Sequence, residues 1–262
     1  MGEFAESTKL FDEKFERLWS LILSAKNIAV FTGAGVSTMS GIPDFRGKHG
    51  VYNSPWKGMA VEEIISIGFF RRDPDIFYKW AEEVWYHLEE YSPNIVHLVL
   101  KKMEDKGLLS TGVFTQNIDF LHERAGSRRV YNLHGSALES YCTSCRRRYR
   151  YDDVAPTVRL GKVPMCSCGG VIKPDIVFYG ESLPSDVLDM ADSAFRKADL
   201  TLILGSSLTV YPAASLPRLT NYYGGKTVIV NAQPTDQDEF AEICFRDLEQ
   251  VFSALDRALD TI

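Results

Sequence analysis

The sequence predicts an α/β fold, a doubly wound parallel sheet of Rossmann-like type with a small zinc-binding module and a helical insertion. Three observations support this prediction. Short apolar runs rich in β-branched residues alternate with helical periodicity, which is typical of parallel strands covered by helices on both faces. A glycine-rich turn follows the first of these runs. Two cysteine pairs about twenty residues apart interrupt the alternation near the middle of the chain.

The elements of the predicted sheet follow from local patterns. Apolar runs bounded by turn residues predict buried strands at 27–32, 112–116, 130–133, 200–205 and 227–231. Helical spacing of apolar residues predicts an amphipathic helix near each end of the chain. The first carries Phe11, Phe15, Leu18, Trp19 and Ile22, and the second carries Leu248, Val251, Phe252, Leu255 and Leu259.

The segment from residue 51 to 92 is predicted as a helical insertion rich in aromatic side chains. Asp73-Pro74 favours a helix start, followed by a stripe of Phe77, Trp80, Val84 and Leu88. The stripe could line a ligand groove, but a surface that faces the core is the favoured interpretation. Ser92-Pro93 predicts the start of the next helix, which Gly107 ends.

Length and charge limit the classes of protein that fit. A chain of 262 residues can form one large α/β domain with an insert, or two ordinary domains. The net charge of −6 argues against nucleic acid as a partner. Arginines near the cysteines could form a local basic patch that binds nucleic acid, but the acidic overall charge favours a solvated face. They are Arg128, Arg129, Arg146, Arg147, Arg148 and Arg150.

Targeting signals are not apparent. No apolar run approaches the roughly 18–20 residues that span a bilayer, and the acidic, polar start MGEFAESTK is not a secretory signal. Glu6 stands where N-myristoylation requires Ser or Thr. We therefore expect a cytoplasmic protein without a membrane partner, and a monomer because the tails beyond the core are short.

The glycine-rich turn reads TGAGVSTMSGIPDFRG from residue 32 to 47. A glycine pair lets the backbone approach a diphosphate closely. The dinucleotide fingerprint, however, requires a third glycine where Thr38 stands and an acidic residue about twenty positions later, and residues 51–60 have none. A hydride-transferring dehydrogenase is therefore disfavoured, whereas binding of a nucleotide diphosphate is not.

Several short blocks occur in a specific order along the chain: GAGVS (33–37), GIPDFRG (41–47), TQNID (115–119), LHG (133–135), the paired cysteines, VFYGE (177–181), GSSL (205–208) and VN (230–231). Together they closely resemble the sirtuin family of NAD-dependent protein lysine deacylases, bacterial type, from about Phe11 to Leu259. The resemblance implies an NAD-binding domain formed by residues 1–50, 93–135 and 176–262, a helical insertion at 51–92 and a zinc-binding module at 136–175.

The resemblance also implies the chemistry. NAD would be a co-substrate that loses nicotinamide, and the acyl group of a modified lysine would pass to ADP-ribose, giving O-acyl-ADP-ribose. His134 corresponds to the general base, a task that suits a neutral imidazole. Asn117 would orient a ribose or a water, Asp119 would accept a hydrogen bond from the nicotinamide carboxamide, and Ile118 would pack against the nicotinamide. The other histidines are expected to be structural or surface residues: His49, His87, His97 and His122.

The remaining site residues come from the same resemblance. Phe45 would cover the reactive ribose carbon, and Arg46 would bind phosphate and ribose oxygens. The other NAD contacts would be Ala34, Thr38, Gln116, Gly205, Ser206, Ser207, Asn231, Asp247 and Leu248. Two extended segments would flank an acylated-lysine peptide by backbone pairing, with contacts from Val177, Tyr179, Gly180, Glu181, Leu208 and Val210.

The preferred acyl group and two rival functions can also be considered. Sirtuins that remove succinyl or malonyl groups carry a Tyr-x-x-Arg motif, and the matching stretch here is Tyr78-Lys79-Trp80-Ala81. We therefore expect removal of acetyl or other uncharged groups. A protein ADP-ribosyltransferase and a non-catalytic NAD or ADP-ribose sensor are alternatives. The intact LHG histidine and the segments that would flank a peptide favour the deacylase.

The cysteine segment could be a broken zinc site, a redox pair or a working zinc site with one short loop. A working structural zinc site is favoured, because four thiolates can hold Zn²⁺ tetrahedrally and no thioredoxin-like context supports a redox pair. The four ligands would be Cys142, Cys145, Cys166 and Cys168. Gly169 and Gly170 could supply the positive φ that a tighter C-x-C turn requires. Cys244 is expected to be a small buried apolar residue.

Overall fold

The larger sheet of the computed structural model, which describes residues 2–44 and 50–262, is parallel and has the strand order β3-β2-β1-β7-β8-β9. Its strands are β1 (Ile28–Thr32), β2 (Val113–Thr115), β3 (Val130–Asn132), β7 (Leu200–Leu204), β8 (Lys226–Val230) and β9 (Ile243–Phe245). The doubly wound prediction is thereby confirmed. The short edge strand β9 was not predicted. The order reverses between β1 and β7, and a crevice opens at their carboxyl ends.

Helices cover both faces of this sheet, and every residue of β1 is therefore buried. Ile28 and Val30 pack with the apolar residues of α1 (Gly2–Ser24), α6 (Ile95–Asp105) and α11 (Leu248–Leu259). Ala29 and Phe31 pack on the opposite face with α9 (Ser185–Lys197). Shorter helices complete the domain: α2 (Ala34–Thr38), α7 (Leu121–Arg124) and α10 (Arg218–Tyr222).

The helical insertion is rich in buried aromatic side chains. It contains 3₁₀ turns at 51–53 and 88–90 and the helices α3 (Val61–Ile64), α4 (Ile67–Arg72) and α5 (Pro74–Val84). Asp73 caps α5 by accepting a hydrogen bond from the amide of Ile76 at 3.2 Å. The rings of Trp80 and Trp85 lie 4.6 Å apart. The stripe therefore faces the core, although Leu88 lies beyond the end of α5.

The start of α6 differs from the prediction by two residues. Asn94, not Ser92, is the cap residue, and its side chain accepts a hydrogen bond from the amide of Val96 at 3.0 Å. The side-chain Nδ2 of Asn94 also donates to the carbonyl of Val36 at 2.8 Å, so the cap residue connects α6 with α2. The helix ends before Gly107, whose φ is +76°.

The cysteine segment is built on a second, antiparallel sheet with the order β5-β4-β6. It comprises β4 (Gly135–Cys142), β5 (Arg148–Arg150) and β6 (Ile172–Ile176), with the helix α8 (Tyr151–Arg159) between β5 and β6. These strands were not predicted. Tyr151 stacks on Tyr86 at 5.6 Å, so the small sheet and the helical insertion share one core. Within the described ranges, no helix is both long and apolar enough to cross a bilayer.

Gly135 connects the two sheets directly after His134. Its φ is +75°, and a Cβ at this position would lie 2.0 Å from the carbonyl oxygen of Asp175. Any side chain would therefore force the backbones of β4 and β6 apart.

Replacing Gly135 by alanine should destabilise the protein more than replacing Gly161, which has a similar φ of +69° and no atom near its absent Cβ. Gly161→Ala should cost about 1–2 kcal/mol for the left-handed backbone alone. Gly135→Ala should cost at least about 2 kcal/mol more, because the backbone must also shift. Urea unfolding of both variants would measure the difference, and equal losses would contradict the clash.

Candidate active site

A cleft of about 860 Å³ lies at the carboxyl ends of β1 and β7, bordered by the helical insertion and the end of β6. The residues that the sequence singled out and that line it are Ala34, Thr38, Gln116, Asn117, Ile118, His134, Val177, Tyr179, Gly180, Glu181, Gly205, Ser206, Ser207, Val210, Asn231 and Leu248. The structure therefore brings most of the predicted site residues together in one cavity.

The floor of the cleft is made by two turns whose backbones touch. The amide of Gly33 donates to the carbonyl of Leu204 at 3.0 Å, and the amide of Gly35 donates to the carbonyl of Gly205 at 2.8 Å. Gly205 has a φ of +57°, and a Cβ there would lie 2.4 Å from the nitrogen of Val36. Glycine is required because the two turns leave no room for a side chain.

A hydrogen-bond network of polar side chains lies beside this floor. Asn117 donates from Nδ2 to the carbonyl of Gly33 at 3.1 Å and to Oγ of Ser37 at 2.9 Å. Ser37 donates to Oδ2 of Asp119 at 2.5 Å, and the amide of Leu121 donates to Oδ1 at 3.0 Å. Burial raises the pKa of the Asp119 carboxyl group, and these two hydrogen bonds oppose that shift.

His134 is oriented by the backbone of the strand-end loop after β2. Its Nδ1 lies 3.0 Å from the carbonyl oxygen of Gln116, and because a carbonyl only accepts, Nδ1 carries the proton. The neutral ring therefore presents Nε2 as a proton acceptor. Burial lowers the pKa of His134, and the hydrogen bond to Gln116 partly opposes this shift. A neutral base near physiological pH is the result.

The wall opposite the glycine turns is formed by residues 177–181. The amide of Tyr179 donates to the carbonyl of Ile65 at 3.0 Å, and the amide of Ile67 donates to the carbonyl of Tyr179 at the same distance. The amide of Val177 donates to the carbonyl of His134 at 2.8 Å. This segment is thereby fixed both to the helical insertion and to the histidine.

Some predicted site residues lie elsewhere. Asp119 is buried behind Asn117 and does not line the cleft. Leu208 also does not line it, because its side chain packs in the core. Asp247 caps α11 by accepting a hydrogen bond from the amide of Gln250 at 2.9 Å. Phe45, Arg46 and His49 lie outside the described residues.

Two other histidines form a buried pair whose ring centroids are 4.7 Å apart. His122 lies 3.1 Å from the hydroxyl of Thr32 through Nε2, and His97 accepts a hydrogen bond from the amide of Asn94 at 3.2 Å. Burial lowers the pKa of His97 to about 4. Neither histidine lines the cleft. His87 lies in the helical insertion, where its Nδ1 is 3.0 Å from Glu90.

Sequence reasoning missed other residues at the site. Gln233 lies just beyond β8 and lines the cleft, so the rule that ligands bind at the carboxyl ends of strands could have found it. Ser37 was visible in the GAGVS block but was not selected, although it connects Asn117 with Asp119. Ile65 and Trp85 reach the cleft through tertiary packing, for which the sequence contains no local signal.

The four paired cysteines converge at one end of the small sheet, where their sulfur atoms all lie within 4.8 Å of one another. Sγ of Cys142 is 3.5 Å from that of Cys168, and Sγ of Cys145 is 3.6 Å from that of Cys166. Tetrahedral Zn²⁺ with Zn–S bonds of about 2.3 Å requires sulfur separations of about 3.8 Å. The cluster therefore fits a closed structural zinc site.

The two glycines after the C-x-C pair serve different needs. Gly169 has a φ of +85°, as the tight turn requires. Gly170 does not have a positive φ, contrary to the expectation, but a Cβ there would lie 2.7 Å from Sγ of Cys142. Cys244 is only partly buried, not fully as expected, and its thiol lies 3.8 Å from the carbonyl of Asp238.

The zinc cluster is separated from the cleft by the length of β4, which begins after His134 and ends at Cys142. Eight residues of strand span roughly 23 Å between the first and last Cα. Zinc at this site would supply a structural crosslink and no catalytic chemistry.

The comparisons with known proteins match this geometry. The model of the Sir2 family matches residues 33–212. An NAD-dependent protein deacetylase of Thermotoga maritima is 43% identical over 231 residues, covering 88% of this chain and 92% of the relative. The chain belongs to the Sir2 family. An NAD-dependent protein deacetylase of Sulfolobus acidocaldarius is 42% identical, covering 92% of both chains.

Solved Sir2 structures have the same fold. A Sir2 structure described as a complex with p53 peptide and NAD⁺ has a TM-score of 0.84 and 40% identity, covering 95% of this chain and 98% of the other. A second, described as Sir2 bound to acetylated peptide, has a TM-score of 0.82 and 38% identity with the same coverage.

Replacing Cys166 by serine should remove one of the four sulfur ligands and lower the zinc content. Structural zinc sites contribute directly to folding, so we also expect a lower melting temperature. Cys244→Ser is the matched control and should keep one zinc ion per chain. Elemental analysis and thermal unfolding of both variants would test this. Full zinc content in Cys166→Ser would contradict the assigned ligand set.

Proposed function

We propose that this protein is an NAD-dependent protein lysine deacylase that transfers the acyl group of a modified lysine to ADP-ribose and releases nicotinamide. The observation that carries this proposal is the neutral imidazole of His134, which has Nδ1 bound to a carbonyl and Nε2 left as an acceptor in the cleft. The Sir2 relatives that are named deacetylases and the relatives solved with NAD⁺ and acetylated peptide support the same assignment.

The two glycine turns provide the place for the diphosphate. Backbone at Ala34, Gly35 and Gly205 borders the cleft, and close approach of amide groups suits a doubly charged diphosphate. Hydroxyl groups at Thr38, Ser206 and Ser207 line the same end. We assign the adenosine part to the neighbouring region at Asn231, Gln233 and Leu248.

The nicotinamide end would then lie toward the network of Asn117 and Asp119. Asp119 is buried behind Asn117, and its carboxylate is already hydrogen-bonded through Ser37. We therefore assign to Asp119 the orientation of Asn117 and Ser37, together with the hydrogen bond from the nicotinamide carboxamide that the resemblance implies. Ile118 supplies apolar surface that excludes water from the reacting bond.

His134 is assigned as the general base that takes a proton from a ribose hydroxyl. General bases contribute about 10²–10⁴-fold to rates when they are held in reach of the proton that they remove. The hydrogen bonds at Gln116 and Val177 fix both the ring and the backbone of this residue. Its orientation is thus determined before the substrate binds.

An acylated-lysine peptide is assigned to the wall formed by residues 177–181, and Val210 and Tyr211 also line the cleft. None of the described residues that line the cleft is a lysine or an arginine. Among the described residues, a carboxylate at the end of a succinyl or malonyl chain would therefore lack a cationic partner in the cleft, which favours uncharged acyl groups. Tyr78 and Ala81 are buried in the aromatic core and do not line the cleft.

Transfer of ADP-ribose onto proteins and non-catalytic sensing of NAD are the alternatives. The intact base and the wall available to a peptide argue against both. A cytoplasmic location, a monomeric state and the absence of nucleic-acid and membrane partners stay predictions from the sequence.

Incubation with NAD and an acetyl-lysine peptide should yield nicotinamide and O-acetyl-ADP-ribose, detected by mass spectrometry. His134→Ala should lower kcat/KM by about 10²-fold or more, whereas His87→Ala, which changes a histidine outside the cleft, should keep the activity. A succinyl-lysine peptide should react at least about tenfold more slowly. ADP-ribosylated protein without deacetylation, or no turnover despite NAD binding, would contradict the proposal.

The pH dependence of the reaction should reflect the lowered pKa of His134. A base whose pKa is lowered by burial stays neutral at more acidic pH than a free histidine, so activity should persist below pH 6.5. The acidic limb of a kcat/KM profile should therefore have its midpoint below about 6.5. A midpoint above that value would mean that His134 is not the base or is not buried in the reacting state.

A further inference from the structure

A lysine with almost no exposure lies close to the active site. Lys173 in β6 is 1% exposed, and its ammonium group lies 2.9 Å from Oε2 of Glu181. It donates to the carbonyl of Ile176 at 2.7 Å and to that of Pro174 at 3.3 Å. The ring centroid of Phe178 is 3.9 Å from Nζ. A buried ammonium group is tolerated because these partners satisfy its hydrogen bonds and its charge.

Two partners of Lys173, Phe178 and Glu181, belong to the peptide-side wall, which is the wall of residues 177–181 assigned to the peptide. Oε2 of Glu181 accepts a second hydrogen bond, from the amide of Phe178 at 2.8 Å, and the amide of Glu181 donates to the carbonyl of Phe178 at 2.9 Å. The carboxylate of Glu181 therefore closes a turn over residues 178–181. The ion pair with Lys173 fixes the position of that carboxylate.

The same turn is connected to the catalytic histidine. Ile176 accepts from Lys173, and the next residue, Val177, donates its amide to the carbonyl of His134 at 2.8 Å. Two residues further, Tyr179 pairs with the backbone of Ile65 and Ile67. One ammonium group thus lies at the junction of β6, the peptide-side wall and the histidine.

We propose that Lys173 is a positioning residue that sets the backbone of residues 177–181 for pairing with the acyl-lysine peptide. This inference rests on the proposed function, because it assigns the peptide to that wall. Lys173 itself does not line the cleft, so it acts through Glu181 and Ile176. Loss of its charge should weaken peptide binding selectively. The glycine turns assigned to the diphosphate share no described hydrogen bond or ion pair with Lys173.

Lys173→Met removes the charge while keeping the length of the side chain. We expect the KM for an acetyl-lysine peptide to rise by on the order of tenfold, while the affinity for ADP-ribose stays within about twofold. Lys173→Arg keeps a cation and should recover most of the loss. Lys162→Met is the matched control, because Lys162 is an exposed lysine of the same module.

A second variant distinguishes loss of positioning from misfolding. Lys173→Met leaves Glu181 without its cationic partner, whereas Lys173→Met/Glu181→Gln removes both charges and should fold with normal zinc content. Because Glu181 itself lines the cleft, the double variant serves only to show that the chain folds without the ion pair, and the peptide KM is compared between Lys173→Met and Lys173→Arg. An unchanged peptide KM in folded Lys173→Met, or an equal loss of ADP-ribose affinity, would overturn the positioning role.

Amide hydrogen exchange gives a readout that does not need turnover. The amides of residues 177–181 should exchange faster in Lys173→Met than in the wild-type protein, and those of residues 33–38 should be unchanged. If the wild-type protein shows no NAD-dependent deacylation, the proposed function fails while the exchange measurement still tests the positioning of this segment. Unchanged exchange at 177–181 would overturn the proposal whatever the activity.

Discussion

The contact between two glycine turns is the constraint on which the site depends. The turns after β1 and β7 meet backbone to backbone, with Gly35 donating to Gly205 at 2.8 Å. They can do so only because the parallel strands β1 and β7 are neighbours at the point where the strand order reverses. This close approach leaves a floor of exposed backbone, from which a diphosphate can be bound without competition from side chains.

The small sheet and the helical insertion, together with the parallel sheet, border the cleft. β4 starts directly after His134, and β6 ends directly before Val177, so the sheet that carries the four cysteines fixes His134 and one wall of the cleft together. The helical insertion holds the same wall through the backbone of Ile65 and Ile67. A zinc site roughly 23 Å from His134 along β4 can thus affect activity through rigidity alone.

The sequence predicted the parallel strands because their apolar runs are buried on both faces and stand out locally. It did not predict β6, because Lys173 and Pro174 break the apolar pattern of a strand, and the burial of Lys173 depends on Glu181, which is not adjacent in sequence. The site residues, in contrast, were predicted from the resemblance of the ordered blocks to the sirtuin family. Trp85 and Ile65 could not be predicted, since only tertiary packing brings them to the cleft.

Amide hydrogen exchange with and without ADP-ribose can test whether the dinucleotide binds on the two glycine turns, at the point where the strand order reverses. We expect protection at residues 33–38, 205–207 and 231–233, with little change elsewhere in the large sheet. Protection at the amino ends of the strands instead, around Asn27 and Thr111 where a second cavity lies, would contradict binding at the glycine turns.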